Sequence, residues 1–374
     1  MEKDMLYYVQ ICGSVMQANL KRRKDLTAEL RRRYKQSGRK KLCIIASGSS
    51  LNAALAAENF MNCYTENRVK ILSPSDYMDY HREAAADSFV VVISQSGCST
   101  NIIEAVKVLE ADKIPSVALT GNQEGNLKDY AVPLIEYGVG NETIDYVTLG
   151  YVTLIEYLLL FVMESGLESG YISDEEYMDL VKEMEVCCHS NMKMYREAEI
   201  FTKQYYRELM QMEKTIIVSD GANMGTAREA ALKFQETLKI PTVYYESEEY
   251  IHGPNMQLTP DYAVFFIDTN PRHNRMGEVF EATAIVTEHA YMITNKKAEK
   301  KSNILCVENT VRNELTPLFT VVLFQYIAAV ITKEKNNFKC HPLFGEFEKK
   351  IHCKTSDYDA VMNEKIRKSK EVEK

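Results

Sequence analysis

The sequence predicts an α/β protein made of two tandem domains, each a parallel sheet flanked by helices on both faces. Three observations predict it. Short apolar runs alternate with helical stretches at strand–turn–helix spacing. The runs are almost continuously hydrophobic, as strands covered on both faces must be. The same order of elements then occurs a second time, offset by about 170 residues, which reads as an internal duplication. A chain of 374 residues has room for two such domains.

Residues 6–37 read as one or two helices ending in the basic run Arg31-Arg32-Arg33, a solvated helix end. A strand over 42–46 leads into Ser47-Gly48-Ser49-Ser50 and a helical run to 62 that is rich in small residues. Strands over 68–72 and 88–93 follow, the second opening into Ser94-Gln95-Ser96-Gly97 and another helix. Strands over 116–120 and 132–135 complete the first set, and a long helical stretch runs from 151 to 212. The second set has a strand over 215–218, the turn Ser219-Asp220-Gly221 and a helix over 226–238. Strands over 242–245 and 263–268, a helix over 278–288, strands over 290–294 and 304–307, and an apolar helix over 315–332 complete it. Residues 333–374 read as a lysine-rich polar tail with a frayed end. The expected division is 1–165 for the N-terminal helices and first domain, 166–212 for a helical connector, and 213–374 for the second domain with its tail.

Apolar residues make up 45% and charged residues 26% of the chain, the balance of a soluble globular protein. A formal net charge of −8 argues against a nucleic-acid partner. Any anion must then be held locally, by backbone N–H groups and hydroxyls rather than by a basic field. The nine cysteines are scattered with no C-x-x-C pair, as reduced cytosolic thiols are. The start, Met-Glu-Lys-Asp, does not read as a signal peptide. Residues 151–162 are too short to span a membrane and contain Glu156. Residues 315–332 carry no charge but include Pro317, Gln325 and several threonines, so a buried helix is expected there. A cytoplasmic protein with no membrane partner follows. The seven histidines lack metal-ligand spacing, and neither metal nor cofactor is expected.

Two constellations carry chemistry. Ser47-Gly48-Ser49-Ser50 and Ser94-Gln95-Ser96-Gly97-Cys98-Ser99 each follow an apolar strand and open a helix. Ligands of open parallel sheets sit beyond the carboxyl ends of the strands. A helix start there offers unpaired N–H groups and the positive end of the dipole, and short hydroxyl side chains complete a phosphate cradle. Serine at such a turn also serves simply as a helix N-cap, so both readings stand. In the second half, Glu229, Lys233 and Glu236 fall at i, i+4 and i+7 on one helix face, a pattern shared with solvated salt-bridge faces. His252 follows in the turn Ile251-His252-Gly253-Pro254, where Gly and Pro would fix the loop.

The segments IASGSSLNA (45–53), ISQSGCST (93–100) and YIHGP (250–254) resemble sugar-isomerase (SIS) domains. The chain is similar, from about Leu42 to Tyr358, to the isomerase half of glucosamine-6-phosphate synthase, and to sugar-phosphate deaminases and fructosamine-6-phosphate deglycases. The resemblance implies phosphate binding by Ser49, Ser50, Ser94, Gln95, Ser96 and Ser99. Glu142 and the stretch Thr148-Leu149-Gly150-Tyr151 resemble the part that lines the sugar, so Glu142 and Thr148 would line it here. Leu149 stands where the family usually carries lysine, which removes a cation near the ligand.

The resemblance also assigns acid–base chemistry to Glu236 and His252. Glu236 would move a proton between C1 and C2 through an enediol or enolamine. His252 would open the sugar ring or protonate a departing amine. Lys233 would hold Glu236 ionised or polarise a substrate oxygen. In such proteins the histidine often enters from a neighbouring subunit, implying a homodimer or larger homo-oligomer. The segment FEKKIHCKTSDY (347–358) resembles a segment that closes over the sugar, with Lys354 as its lysine and Lys350 the fallback. The function implied is a deaminase or deglycase of a phosphorylated amino sugar or fructosamine. The alternatives are an aldose–ketose phosphosugar isomerase and a non-catalytic sugar-phosphate-binding regulator. The complete amidotransferase is not expected, because its glutaminase half needs an N-terminal nucleophilic cysteine and Glu2 follows Met1 here.

Overall fold

Strands that are buried on both faces form where apolar runs are bounded by turn residues, and the computed structural model bears out this pattern in both halves. It describes residues 3–66, 68–298 and 301–372. Two compact units result, one of residues 18–54, 60–178 and 339–374, the other of residues 1–17, 55–59 and 179–338.

The first of these units is built on five parallel strands: β1 (Lys41–Ala46), β2 (Lys70–Leu72), β3 (Ser88–Ile93), β4 (Ser116–Thr120) and β5 (Leu134–Glu136). Their order is β2-β1-β3-β4-β5. Every residue of β3 is buried, and β1 pairs with it in register from Lys41 opposite Ser88 to Ala46 opposite Ile93. One face packs Cys43, Ile45, Val90 and Val92 against Ile102, Val106 and Leu109 of the helix Thr100–Ala111. The helix Leu149–Ser169 is apolar almost all round, the signature of a core helix, and ends on Gly170 at φ 73°.

The other unit repeats the plan with β6 (Thr215–Ser219), β7 (Thr242–Glu246), β8 (Ala263–Asp268), β9 (Ala290–Thr294) and β10 (Ile304–Cys306). All pairs are parallel and the order is β10-β9-β8-β6-β7. Read from the other edge, this is the order of the first sheet. Ile216, Val218, Val264 and Phe266 pack against Met276, Val279 and Phe280 of the helix Arg275–Ala284. The helix Pro317–Lys335 starts with proline in its first turn and stops at Asn336 in the left-handed region. Between the sheets in sequence lie the helices Asp174–Gln204 and Tyr206–Gln211.

Two segments, Leu149–Ser169 and Asn313–Lys335, are long and apolar enough to cross a membrane by length and composition. In each, 94% of the most apolar window is buried inside the protein, as a core helix requires. The tail departs from the polar, frayed expectation. It forms a helix over Tyr358–Val372, because Met362 and Ser369 find buried positions that composition alone does not reveal.

Candidate functional site

In a sheet of order 2-1-3-4-5 the chain leaves β1 and β3 in opposite directions, opening a crevice beyond their carboxyl ends. The loop 47–50 leaves β1 and the loop 94–99 leaves β3. The sequence leaves open whether their serines cap helices. The helix Ser49–Tyr64 has Gly48 at its N-cap and the helix Thr100–Ala111 has Ser99, and neither makes a side-chain capping bond to its helix. The hydroxyls are turned to each other instead. Ser94 Oγ donates to Ser99 Oγ at 3.0 Å, and Ser96 Oγ accepts the Cys98 N–H at 3.2 Å. Gly97 sits at φ +69° with Asn122 O only 2.9 Å from where a Cβ would stand, so the turn tolerates no side chain there. Ser49 is buried at the first turn of its helix, and Ser47 Oγ reaches Asn101 Oδ1 at 3.4 Å.

The tail closes onto this loop. Lys354 lies opposite Ser99 in an isolated antiparallel bridge, with Thr100 N–H donating to Cys353 O (3.2 Å) and Thr355 N–H to Cys98 O (3.0 Å). Thr100 Oγ1 donates to His352 O at 2.6 Å and Thr355 Oγ1 to Asn126 Oδ1 at 2.7 Å. Asn126 Nδ2 in turn holds the Asp357 carboxylate at 2.9 and 3.1 Å. This strap delivers Lys354 Nζ to within 3.1 Å of Ser96 Oγ and 3.5 Å of Ser99 Oγ. Lys350 stands exposed beyond the helix Phe344–Glu348.

Glu142 is 2% exposed, and its carboxylate caps the start of the helix Leu149–Ser169. One oxygen accepts the N–H groups of Thr148 (2.9 Å) and Leu149 (2.7 Å); the other accepts Gly150 N–H (3.0 Å) and the Gln95 amide. Burial pushes the Glu142 carboxyl up from its ordinary value, against the pull of these four donors. The resemblance cast Glu142 as a sugar-lining residue; its geometry is that of a bracket that ties Gln95 to the helix start. Thr148 is fully buried and gives its hydroxyl to Tyr146 O at 2.8 Å. Sequence reasoning missed Asn126, Thr355 and Asp357. Thr355 could have been suspected as the neighbour of Lys354, whereas Asn126 carries no signal in sequence.

The acid–base candidates belong to the other unit. The helix Asn223–Lys233 widens into a π-turn over Phe234–Leu238, which ends on Lys239 at φ 56°. Asn337 Nδ2 donates to the carbonyls of Thr237 (3.2 Å) and Leu238 (2.9 Å), satisfying the helix end. The π-turn alters the plain helical face expected for these residues but keeps them together. Lys233 Nζ lies 2.6 Å from Glu236 Oε2 and 3.6 Å from Glu229 Oε1. Lys233 and Glu229 are 1% and 0% exposed, while Glu236 is 34% exposed. A buried cation thus orients a carboxylate that still reaches solvent, and π-turns of this kind recur at functional sites. His252 follows the helix Ser247–Ile251, whose first N–H groups are capped by Glu246. Its ring is exposed, and among the described residues it makes no hydrogen bond to Glu236 or Lys233.

Comparison with known proteins agrees with the duplicated plan. The SIS domain family matches residues 37–163 and 208–330. A glutamine–fructose-6-phosphate aminotransferase (isomerizing) from Streptococcus agalactiae is 22% identical over 291 residues, which cover 77% of this chain and 48% of that protein. The chain therefore spans about half the length of the curated relatives it matches. Among solved structures, a candidate phosphosugar isomerase from Clostridium difficile 630 superposes with a TM-score of 0.83 at 20% identity, covering 95% of this chain and 99% of that one. Glucosamine-6-phosphate deaminase from Thermotoga maritima superposes with a TM-score of 0.63 at 16% identity, covering 85% and 94%. With two matched segments, two sheets of one strand order and helices flanking both, the chain belongs to the SIS domain family.

Proposed function

We propose that this protein is an enzyme that binds a phosphorylated sugar and cleaves a C–N bond at its first two carbons, as a deaminase of an amino sugar phosphate or a deglycase of a phosphorylated fructosamine. The observation that carries the reading is the convergence of the Ser96 and Ser99 hydroxyls on the Lys354 ammonium at the carboxyl end of β3. Three donors that are not spent on capping, beside the first turn of a helix, match the needs of a phosphate monoester. Family membership and the names of the relatives, an aminotransferase acting on fructose 6-phosphate and a glucosamine-6-phosphate deaminase, support the substrate class.

In this reading Ser49, Ser50, Ser94, Gln95, Ser96, Ser99 and Lys354 anchor the substrate, and Glu142 and Thr148 brace the anchor. Glu236, oriented by Lys233 at 2.6 Å, is the base that moves a proton between C1 and C2; the shift turns the nitrogen-bearing carbon into an imine, which water hydrolyses to a carbonyl and the free amine. His252 protonates the departing amine or opens the ring, entering from a second copy of the chain in a homodimer or larger assembly. Exposure of the imidazole suits that role.

The test is incubation of the purified protein with glucosamine 6-phosphate, fructoselysine 6-phosphate, fructose-asparagine 6-phosphate and fructose 6-phosphate. Mass spectrometry follows amine release and solvent deuterium uptake at C1 and C2. Release from one member is expected, with a loss of about 10²–10⁴-fold in turnover on Glu236→Gln. Deuterium uptake without release makes the enzyme an isomerase. Binding with neither, unaffected by Glu236→Gln, makes it a sensor and sinks the catalytic reading.

A further inference from the structure

The basic run Arg31-Arg32-Arg33 takes no part in the sugar-phosphate site. It opens a segment, 31–41, in which seven of eleven residues are lysine or arginine and none is acidic, in a chain of net charge −8. This segment closes the helix Arg23–Ser37, turns on Gly38 at φ 62° and enters β1. It therefore lies at the amino end of the strand whose carboxyl end carries the loop 47–50. Beside it is a cavity of about 490 Å³, within the range of small-molecule sites, about 300–1,000 Å³. The lining belongs wholly to the first unit and comes from the ends of the helices Arg23–Ser37, Ser49–Tyr64 and Leu149–Ser169 and the turns after them.

Three tyrosines wall the cavity. Tyr34 packs on Phe89 and Phe161 with ring centroids 5.4 and 5.6 Å apart, and its hydroxyl donates to Lys40 O at 3.2 Å. Tyr64 is buried against Phe60, while Tyr171 is 52% exposed and held just past Gly170 by its N–H on Gly166 O at 2.9 Å. The charges around these rings do not cancel. Among the described residues, four carboxylates pair with the cations of 31–41: Glu29, Glu66, Asp87 and Glu168. Both acids of the lining are thus engaged, Glu66 by Lys40 at 2.6 Å and Glu168 by Arg31. Three helix ends add about half a negative charge each, less than the cations left over. Lys35 and Arg39 bring that excess to the cavity, and the bond of Arg39 to Asp87 is an exposed pair at 3.4 Å, of small worth. Flat rings beside a positive surface favour an anion that itself carries a flat ring, through ring contact and charge together. We propose that this cavity is a second ligand site, separate from the serine loops, which takes a small ring-bearing anion: a nucleoside monophosphate or an aromatic carboxylate. A sugar phosphate lacks the flat ring and is not its ligand.

Titration calorimetry of the full chain with phenyl phosphate, inorganic phosphate and phenol tests it. Phenyl phosphate is expected to bind at least about 10-fold more tightly than either fragment, because ring and charge each meet a counterpart. Lys35→Glu and Tyr171→Ala, both at exposed positions, should each weaken it about 10-fold, while Ser96→Ala leaves it unchanged within about twofold. Displacement of the bound probe by AMP assigns the nucleoside phosphate, and displacement by phenylpyruvate the aromatic carboxylate; displacement by neither overturns the proposal. Phenyl phosphate that binds no better than phosphate, or that is indifferent to both Lys35→Glu and Tyr171→Ala, overturns it too. So does an affinity that falls on Ser96→Ala and not on Lys35→Glu, which places the probe at the serine loops and leaves the sugar-phosphate reading standing.

Discussion

Replacing Lys233 by methionine probes the buried charge cluster most directly. The side chain is 1% exposed and lies between Glu236 at 2.6 Å and Glu229 at 3.6 Å, with Glu229 wholly buried. Methionine fills nearly the same volume, so the packing term is small. What is lost is the ammonium that makes a buried carboxylate tolerable. Breaking one partner out of a buried ion pair costs about 3–5 kcal/mol. For a unit of this size that is a fall of about 6–20 °C in its melting transition. Differential scanning calorimetry at pH 8 measures the fall. The double variant Glu229→Gln/Lys233→Met should recover most of the loss at pH 8, since it removes both charges together. A fall of under about 2 °C, or no recovery in the double variant, would refute the view that Lys233 compensates buried carboxylate charge.

Glu142→Gln leaves one acceptor oxygen for Thr148 and Leu149 but sets an NH₂ group against Gly150 N–H and the Gln95 amide, a destabilisation of about 1–3 kcal/mol by urea unfolding. Because burial raises the Glu142 carboxyl above its ordinary 4.5, the stability it contributes is complete below that pH and declines as pH rises through the elevated value. The variant should therefore show a flatter stability–pH curve just above pH 4.5. Thr355→Val keeps the backbone bond to Cys98 but removes the 2.7 Å hydroxyl bond to Asn126. Loss of about 1 kcal/mol should speed tryptic cleavage within the strap about fivefold, and an unchanged rate would show that the hydroxyl does not hold it.

Much of this architecture is readable in the chain before any coordinates. The strands over 88–93, 116–120, 263–268 and 290–294 are found at the residues where apolar runs meet turn residues. Burial on both faces makes such runs conspicuous. The edge strand Lys70–Leu72 is shorter than the run over 68–72 suggests, since an exposed edge exerts little selection on hydrophobicity. The serine loops were legible for the same reason as the strands: both are local. What stayed hidden is non-local. Lys354, reached in the sequence only through the family resemblance, meets Ser96 across 258 positions, and Lys365 meets Gly121 across 244 from a polar tail with no periodicity to read. The π-turn after Lys233 was equally hidden, because residues 226–238 have an unbroken helical pattern and the widening shows only in backbone geometry.

The duplication itself makes one more prediction. Both sheets share one strand order, so β6 and β8 open a crevice equivalent to that of β1 and β3. Its chemistry is opposite. Where the first crevice has Ser94-Gln95-Ser96, the second has Asp268-Thr269-Asn270, and Asp220 follows β6 where Ser47 follows β1. Asp268 is almost wholly buried and pairs with Lys296 Nζ at 2.6 Å; Asn270 Nδ2 donates to Asp220 Oδ2 at 3.2 Å. Lys296, the cation that could have received a phosphate, is already spent on Asp268 and on Asn270 O at 3.1 Å. Burial raises the Asp268 carboxyl above its ordinary value, and the Lys296 ammonium offsets this only in part. A phosphate dianion entering there meets two carboxylates, and the lysine beside them is already committed. Titration of the chain with a sugar phosphate should therefore saturate at one ligand per chain. The double variant Asp220→Ser/Asp268→Ser frees Lys296 and should open a weaker second site. Two equivalent sites in the unmodified protein would mean that the crevice charges do not decide phosphate binding, and the assignment of the serine loops on that ground would fall with them.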